Sequence, residues 1–129
     1  MKLLLDTQIF IWWDSEPERL PARLRAICEN PANTLVLSVA SVWEMQIKSQ
    51  LGKLELSRTL SSIITEHQED NVLEILPIEL PHVLALDQLP LHHRDPFDRV
   101  IMAQSIAENL VILSVDAMFG QYPVTLYGA

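Results

Sequence analysis

Three short apolar runs, LLL (3–5), TLVLS (34–38) and LVILSV (110–115), most constrain what this chain can fold into. Each is short for a helix and carries little of the polar alternation of a half-exposed strand. They therefore read as strands buried on both faces. Helical stretches separate them. One helix is expected through Ile9–Trp13, and a second is opened by Pro21 and runs through Cys28 until Asn30-Pro31 ends it. A third spans Val39–Leu51 and is closed by Gly52. A fourth, around Leu60–Glu69, leads to a strand at VLEIL (72–76). A short helix near Pro81–Leu89, another from Pro96 to about Asn109, and a last strand near VTLY (124–127) complete the pattern. Strands alternating with helices predict an α/β fold of three layers, with a short parallel sheet in the middle. At 129 residues, with no repeat or linker, the expectation is a single domain over residues 1–129.

Parallel sheets bind ligands beyond the carboxyl ends of their strands, so residues just after the strands come first. Asp6 follows LLL directly and Asp116 follows VILSV in the same way. Each could also cap the next helix or close an Asx-turn, but two aspartates ending two buried parallel strands converge on one edge of the sheet. On the third helix, Trp43, Ile47, Ala40 and Leu51 form the expected apolar stripe. Glu44 falls at its margin beside Lys48, as an i, i+4 pair or as a half-buried functional carboxylate. The stretch HHRDPFDRVIMAQ (92–104) holds two more acids. Asp95 before Pro96 has the signature of an N-cap. Asp98 sits in the first turn, where a carboxylate meets the positive end of the helix dipole. Either could instead be a metal ligand.

Several carboxylates in one pocket repel one another, by roughly 4 kcal/mol for a pair about 4 Å apart at an effective dielectric near 20. Such a pocket keeps protons or binds cations, and oxygen-only ligands favour Mg²⁺ or Mn²⁺ over Zn²⁺. No Cys or His pair has zinc spacing. The adjacent His92 and His93 read as surface or substrate-contact residues.

Composition bears on partners. The net charge is −8, from 17 acidic and 9 basic residues, which speaks against an ordinary nucleic-acid binder. A metal-dependent nuclease is the exception, because its acids gather at the site and bound cations offset them. Four of the bases, Lys48, Lys53, Arg94 and Arg99, lie near the acidic motifs. Hydrophobic residues make up 49% of the chain and its mean hydropathy is +0.17, a surplus that predicts apolar surface covered by a partner. No run approaches the roughly 18 apolar residues of a membrane span. The opening MKLLLDTQIFIWWD imitates a signal peptide, but Asp6 and Gln8 interrupt it and no small-residue cleavage site follows. Cys28 is the single cysteine, consistent with a reducing, cytoplasmic setting.

Taken in order, Asp6-Thr7 after the first strand, Ser41-Val42-Trp43-Glu44 on a helix, LGKL after it, RDPFDR, and Ser114-Val115-Asp116 resemble a PIN domain. In particular they resemble the VapC-type toxins of bacterial toxin–antitoxin pairs, over nearly the whole chain. That resemblance implies a PIN-like fold and a metal-dependent endoribonuclease in which Asp6, Glu44, Asp98 and Asp116 are catalytic and hold Mg²⁺ or Mn²⁺. It selects Asp98 over Asp95, and it places the family's Ser/Thr companions on Thr7 and Ser114. Lys48, Arg94 and Arg99 are then candidate contacts to an RNA substrate. The implied partners are a cognate antitoxin and a second copy of the chain. Two rivals stand beside it. A phospho-accepting receiver module would want an acidic neighbour for Asp6 and a late lysine, yet Lys53 is the last lysine. A non-catalytic PIN-like interaction module is the other.

Overall fold

A computed structural model describes residues 1–71, 73–91 and 95–128. Five parallel strands form one sheet in the order β3-β2-β1-β4-β5. They are β1 (Lys2–Leu5), β2 (Thr34–Ser38), β3 (Glu74–Leu76), β4 (Val111–Leu113) and β5 (Leu126–Tyr127). The chain winds outward from β1 through β2 to β3, and later from β4 to β5 on the other side. The order therefore switches direction between β1 and β4, and a crevice beyond the carboxyl ends of such strands is where ligands bind in open parallel sheets.

Alternation along the strands sorts the core into two layers. Leu3, Leu5, Leu35, Leu37 and Leu113 face one side. They pack on α1 (Thr7–Ser15), α2 (Ala22–Glu29), α3 (Val39–Gln50) and α4 (Leu60–Asp70) through Ile9, Phe10, Leu24, Met45 and Ile63. Leu4, Val36 and Ile112 face the other side, against Ile101, Met102 and Ala103 of the long helix Pro96–Glu108 and against Phe119 and Tyr122. The short helix α5 (Leu80–Leu84) precedes that long helix, α6, and packs on it. The three-layer α/β/α arrangement expected from the apolar runs is the one observed. Among the described residues no helix is long and apolar enough to cross a membrane.

The boundaries that differ have physical causes. The fourth strand stops at Leu113 rather than running to 115: the Ser114 N–H makes the last bond to β5, at the Tyr127 carbonyl (3.1 Å), and the chain then turns into Ala117–Gln121, a 3-10 helix capped by Asp116. Two further 3-10 turns, Pro17–Arg19 and Ala85–Gln88, continue α1 and α5. The face of α3 also differs. Trp43 and Leu51 are 58% and 63% exposed, while Ala40, Ser41, Glu44 and Met45 are buried. Ser41 and Glu44 turn inward because they have polar work beneath the helix, so an apolar stripe drawn through Trp43 is rotated from the true one. Gly52 closes α3 with φ of 72°, the left-handed conformation that glycine adopts without steric cost.

Candidate active site

Beyond the carboxyl ends of β1 and β4 lies a cleft of about 280 Å³ lined by Asp6, Glu44, Asp95, Asp98, Asp116 and Lys48, among others. Asp6 stands at the N-cap position of α1, but its side chain makes no cap. Its Oδ2 instead accepts the Ser114 hydroxyl at 2.8 Å. Ser114 is fully buried, and its Oγ also accepts the Asp116 backbone N–H at 3.0 Å. One serine thus ties the acid after β1 to the acid after β4. Asp116 Oδ1 accepts the Met118 N–H at 2.9 Å, so it caps its turn and still borders the cleft. Thr7 donates its hydroxyl to Ser41 Oγ at 2.8 Å, pinning α1 to α3.

Glu44 is 5% exposed. Its Oε2 takes the Lys48 ammonium at 2.8 Å, while its Oε1 is buried with no hydrogen-bond partner. A buried carboxylate oxygen without a partner costs on the order of 1–3 kcal/mol or more, so this atom wants a ligand. Asp95 caps α6, its Oδ1 accepting the N–H groups of Phe97 (2.9 Å) and Asp98 (3.1 Å). That bond fixes the backbone of the residue that turns toward the other acids.

The acids feel one another. Burial, chiefly, pushes the Asp6 carboxyl from 3.8 up to about 6. The Ser114 hydroxyl pulls it back, Glu44 and Asp116 add like charge, and the Thr7 N–H lowers it slightly. Lys48 is shifted upward, first by its bond to Glu44 and further by the charges of Asp95 and Asp98. Five carboxylates and one ammonium around a small cleft, with one buried oxygen unmatched, form an oxygen-only donor set that fits a hard divalent cation.

Two other places compete and fit less well. A groove of about 730 Å³ opens at the amino ends of β2 and β3, the edge of the sheet opposite the acids. There His67 already has Asp14 Oδ1 at 2.8 Å and Asn71 at 3.0 Å on its two nitrogens. Glu79, His82 and Glu108 bring ligand atoms within 4.8 Å of one another. However, His82 Nδ1 accepts the Glu79 N–H at 3.0 Å, so the ring proton sits on Nε2, 2.8 Å from Glu108 Oε1. In that tautomer neither nitrogen offers a lone pair, and the group reads as a clasp between α5 and α6.

The family model for the PIN domain matches residues 3–124. The chain belongs to the PIN domain family. Solved structures agree on the fold. VapBC2 from Rickettsia felis, bound to a DNA fragment from its promoter, is similar at a TM-score of 0.71 and 20% identity, covering 98% of each chain. FitAcB from Neisseria gonorrhoeae is similar at 0.66 and 20%, covering 98% of this chain and 96% of that one. A toxin–antitoxin complex from Klebsiella pneumoniae gives 0.61 and 16%, with 98% and 96% covered. Comparison with curated proteins gives no match. The PIN assignment sets aside the receiver module.

The structure brings Asp6, Glu44, Asp98 and Asp116 to one cleft, with Ser114 behind them. It adds two residues: Asp95, weighed from the sequence as a cap or a ligand, which lines the cleft as well as capping its helix, and Ser41, the partner of Thr7. The capping motif at 95–98 carried a signal for the first. Nothing local could signal a bond between residues 34 apart. Arg99 directs its guanidinium to the carbonyls of Leu86, Leu89 and Pro90 and so holds the 85–88 turn against α6. His92, His93 and Arg94 lie outside the described residues.

Proposed function

We propose that this PIN domain is a Mg²⁺- or Mn²⁺-dependent endoribonuclease acting as the toxin of a toxin–antitoxin pair. The observation that carries the reading is the buried, unpartnered Oε1 of Glu44, a residue that lines the cleft together with Asp6, Asp98 and Asp116. These four carboxylates would hold the cation, with the Ser114 hydroxyl fixing the rotamer of Asp6. When bound, the cation supplies Lewis acidity at a phosphodiester and lowers the pKa of a water. The chain's own residues do the rest. Ser114 keeps Asp6 and Asp116 in register, the Thr7–Ser41 bond sets the spacing of α1 and α3, and Asp95 holds Asp98 at the mouth. Lys48, with donors left over from Glu44 and its side chain 46% exposed, can meet a phosphate oxygen at the rim. Arg99 serves the 85–88 turn first, and Arg94 keeps the contact role expected of it.

Partner surface supports the toxin reading. Trp43 on α3 and Leu80, Val83 and Leu84 on α5 are exposed, an unusual amount of large apolar side chain for two short elements. We assign it to pairing with a second copy. The cognate antitoxin, met in the cytoplasm, would lay a basic side chain over the acidic cleft. A strictly monomeric mass by light scattering at roughly 50 µM would contradict the pairing.

The test is cleavage of a structured RNA mixture by the purified chain. Activity is expected with Mg²⁺ or Mn²⁺, none with a chelator, and none from a folded Glu44→Gln variant. Full cleavage by metal-free protein in chelator would overturn the mechanism.

A further inference from the structure

Lys48 stands out within the cleft because it is the lone ammonium among five carboxylates in that lining. Its Nζ lies 2.8 Å from Glu44 Oε2, and the other oxygen of the same carboxylate is the buried one that lacks a partner. Glu44 is thus already half-neutralised before any divalent ion arrives. We infer that Lys48 is a built-in counter-ion that competes with the divalent cation for the cleft, stabilising the cation-free protein and holding the affinity for the cation down. This rests on the nuclease reading above, and it goes beyond it by assigning what sets metal affinity.

Magnitudes decide the sign. Bond lengths alone, taking about 2.1 Å from metal to oxygen, place a cation on Oε1 within about 7 Å of Nζ. Charges of +1 and +2 at that distance repel enough, even at the dielectric of bulk water, to weaken binding at least about fivefold. A buried cleft enlarges the effect and salt reduces it. The opposing contribution, the ordering of Glu44 by Lys48, is small, because burial on α3 already restricts that side chain. Removing the ammonium therefore tightens cation binding, and it takes from Glu44 its ionic partner among the described residues when no cation is present.

The experiment is calorimetric titration with Mn²⁺ alone at low ionic strength, on the unaltered chain, Lys48→Met, Lys48→Arg and Glu44→Gln. Lys48→Met is expected to bind at least about fivefold tighter, Lys48→Arg to stay near the unaltered protein, and Glu44→Gln to lose binding. In chelator, Lys48→Met should melt lower than the unaltered chain and should gain more from added Mn²⁺. A second measurement needs no variant. The sequence has three lysines, Lys2, Lys48 and Lys53, so ¹³C-lysine labelling gives three resolved Cε signals. Saturating Mg²⁺ should move that of Lys48 and leave Lys2, which pairs with Glu74 at the far edge, in place. Equal or weaker Mn²⁺ binding by Lys48→Met overturns the inference, as does an unmoved Lys48 signal. If the unaltered chain itself binds no Mn²⁺, the nuclease reading falls and this inference falls with it. If it binds and Lys48→Met binds no tighter, only the inference falls.

Discussion

Replacing Asp6 by Asn should stabilise the metal-free protein while destroying its proposed activity. Burial, with help from Glu44 and Asp116, raises the Asp6 carboxyl from 3.8 to about 6. At about 1.4 kcal/mol for each tenfold change in proton affinity, the ionised side chain costs the metal-free fold about 3 kcal/mol at neutral pH. Because the folded value is the raised one, the native state binds more protons than the unfolded chain between pH 3.8 and about 6. Stability should therefore fall as pH rises through that window and level off above it. Asn removes the charge and can still accept the Ser114 hydroxyl through its Oδ1, and its amide faces the neighbouring carboxylates. We expect a gain of about 2–3 kcal/mol in chelator at pH 7.5, vanishing below pH 4. In melting temperature this is roughly 6–12 °C for a domain of this size. Urea titrations of both proteins from pH 4 to 8 in chelator measure it directly, and saturating Mn²⁺ should reverse the order. An Asp6→Asn protein less stable than its parent in chelator at pH 7.5, or a difference that does not change with pH, would refute the reasoning.

Outcomes at four further residues follow from the structure. Asp95→Asn should keep the α6 cap and much of the activity, whereas Asp95→Ala should cost about 0.5–2 kcal/mol. Asp98→Asn should lose cleavage with little change in the stability of the chelated protein. Comparing denaturation with turnover separates the two aspartates. Gly128→Ala should destabilise by about 1–3 kcal/mol, because φ there is 107° and a Cβ would sit 2.8 Å from both the Leu24 side chain and the Ser114 carbonyl; thermal melts read it. Burial raises the Asp14 carboxyl, but bonds from His67, Arg58 and Ser15 outweigh it and hold the group below 3.8. Its stabilisation is thus present above 3.8 and fades as pH drops through the lower folded value. Asp14→Asn should melt lower at pH 7, with a deficit that shrinks under acid.

Much of the architecture was legible because its signals are local. TLVLS reads as a strand from its own residues, and β2 runs from Thr34 to Ser38 as expected. Ser38 then caps α3 by accepting the Ala40 N–H, so strand and helix meet where the pattern breaks. Pro96 and Asp95 announced α6 in the same way. Features that depend on distant partners were not legible. Glu44 looked marginal because Trp43 counts as apolar in any projection, yet the ring lies outside, edge-on to Phe97 at 5.2 Å between centroids. Ser41 and Glu44 turn inward toward Thr7 and the cleft. The Ser114 hydroxyl just after β4 likewise finds its partner, Asp6, across 108 residues. In the site, chain order supplied the acids, and only the fold showed that Ser114 bridges two of them and that one Glu44 oxygen is unmatched.

The most direct measurement is a crystal of the chain grown with Mn²⁺ and phased at the manganese edge. We expect an anomalous peak about 2.0–2.3 Å from Glu44 Oε1 and from an Asp6 oxygen, with Asp98 and Asp116 bound directly or through water. An ion seated instead among Glu79, His82 and Glu108, or a cleft with Glu44 Oε1 still unliganded at saturating Mn²⁺, would contradict the metal-dependent site.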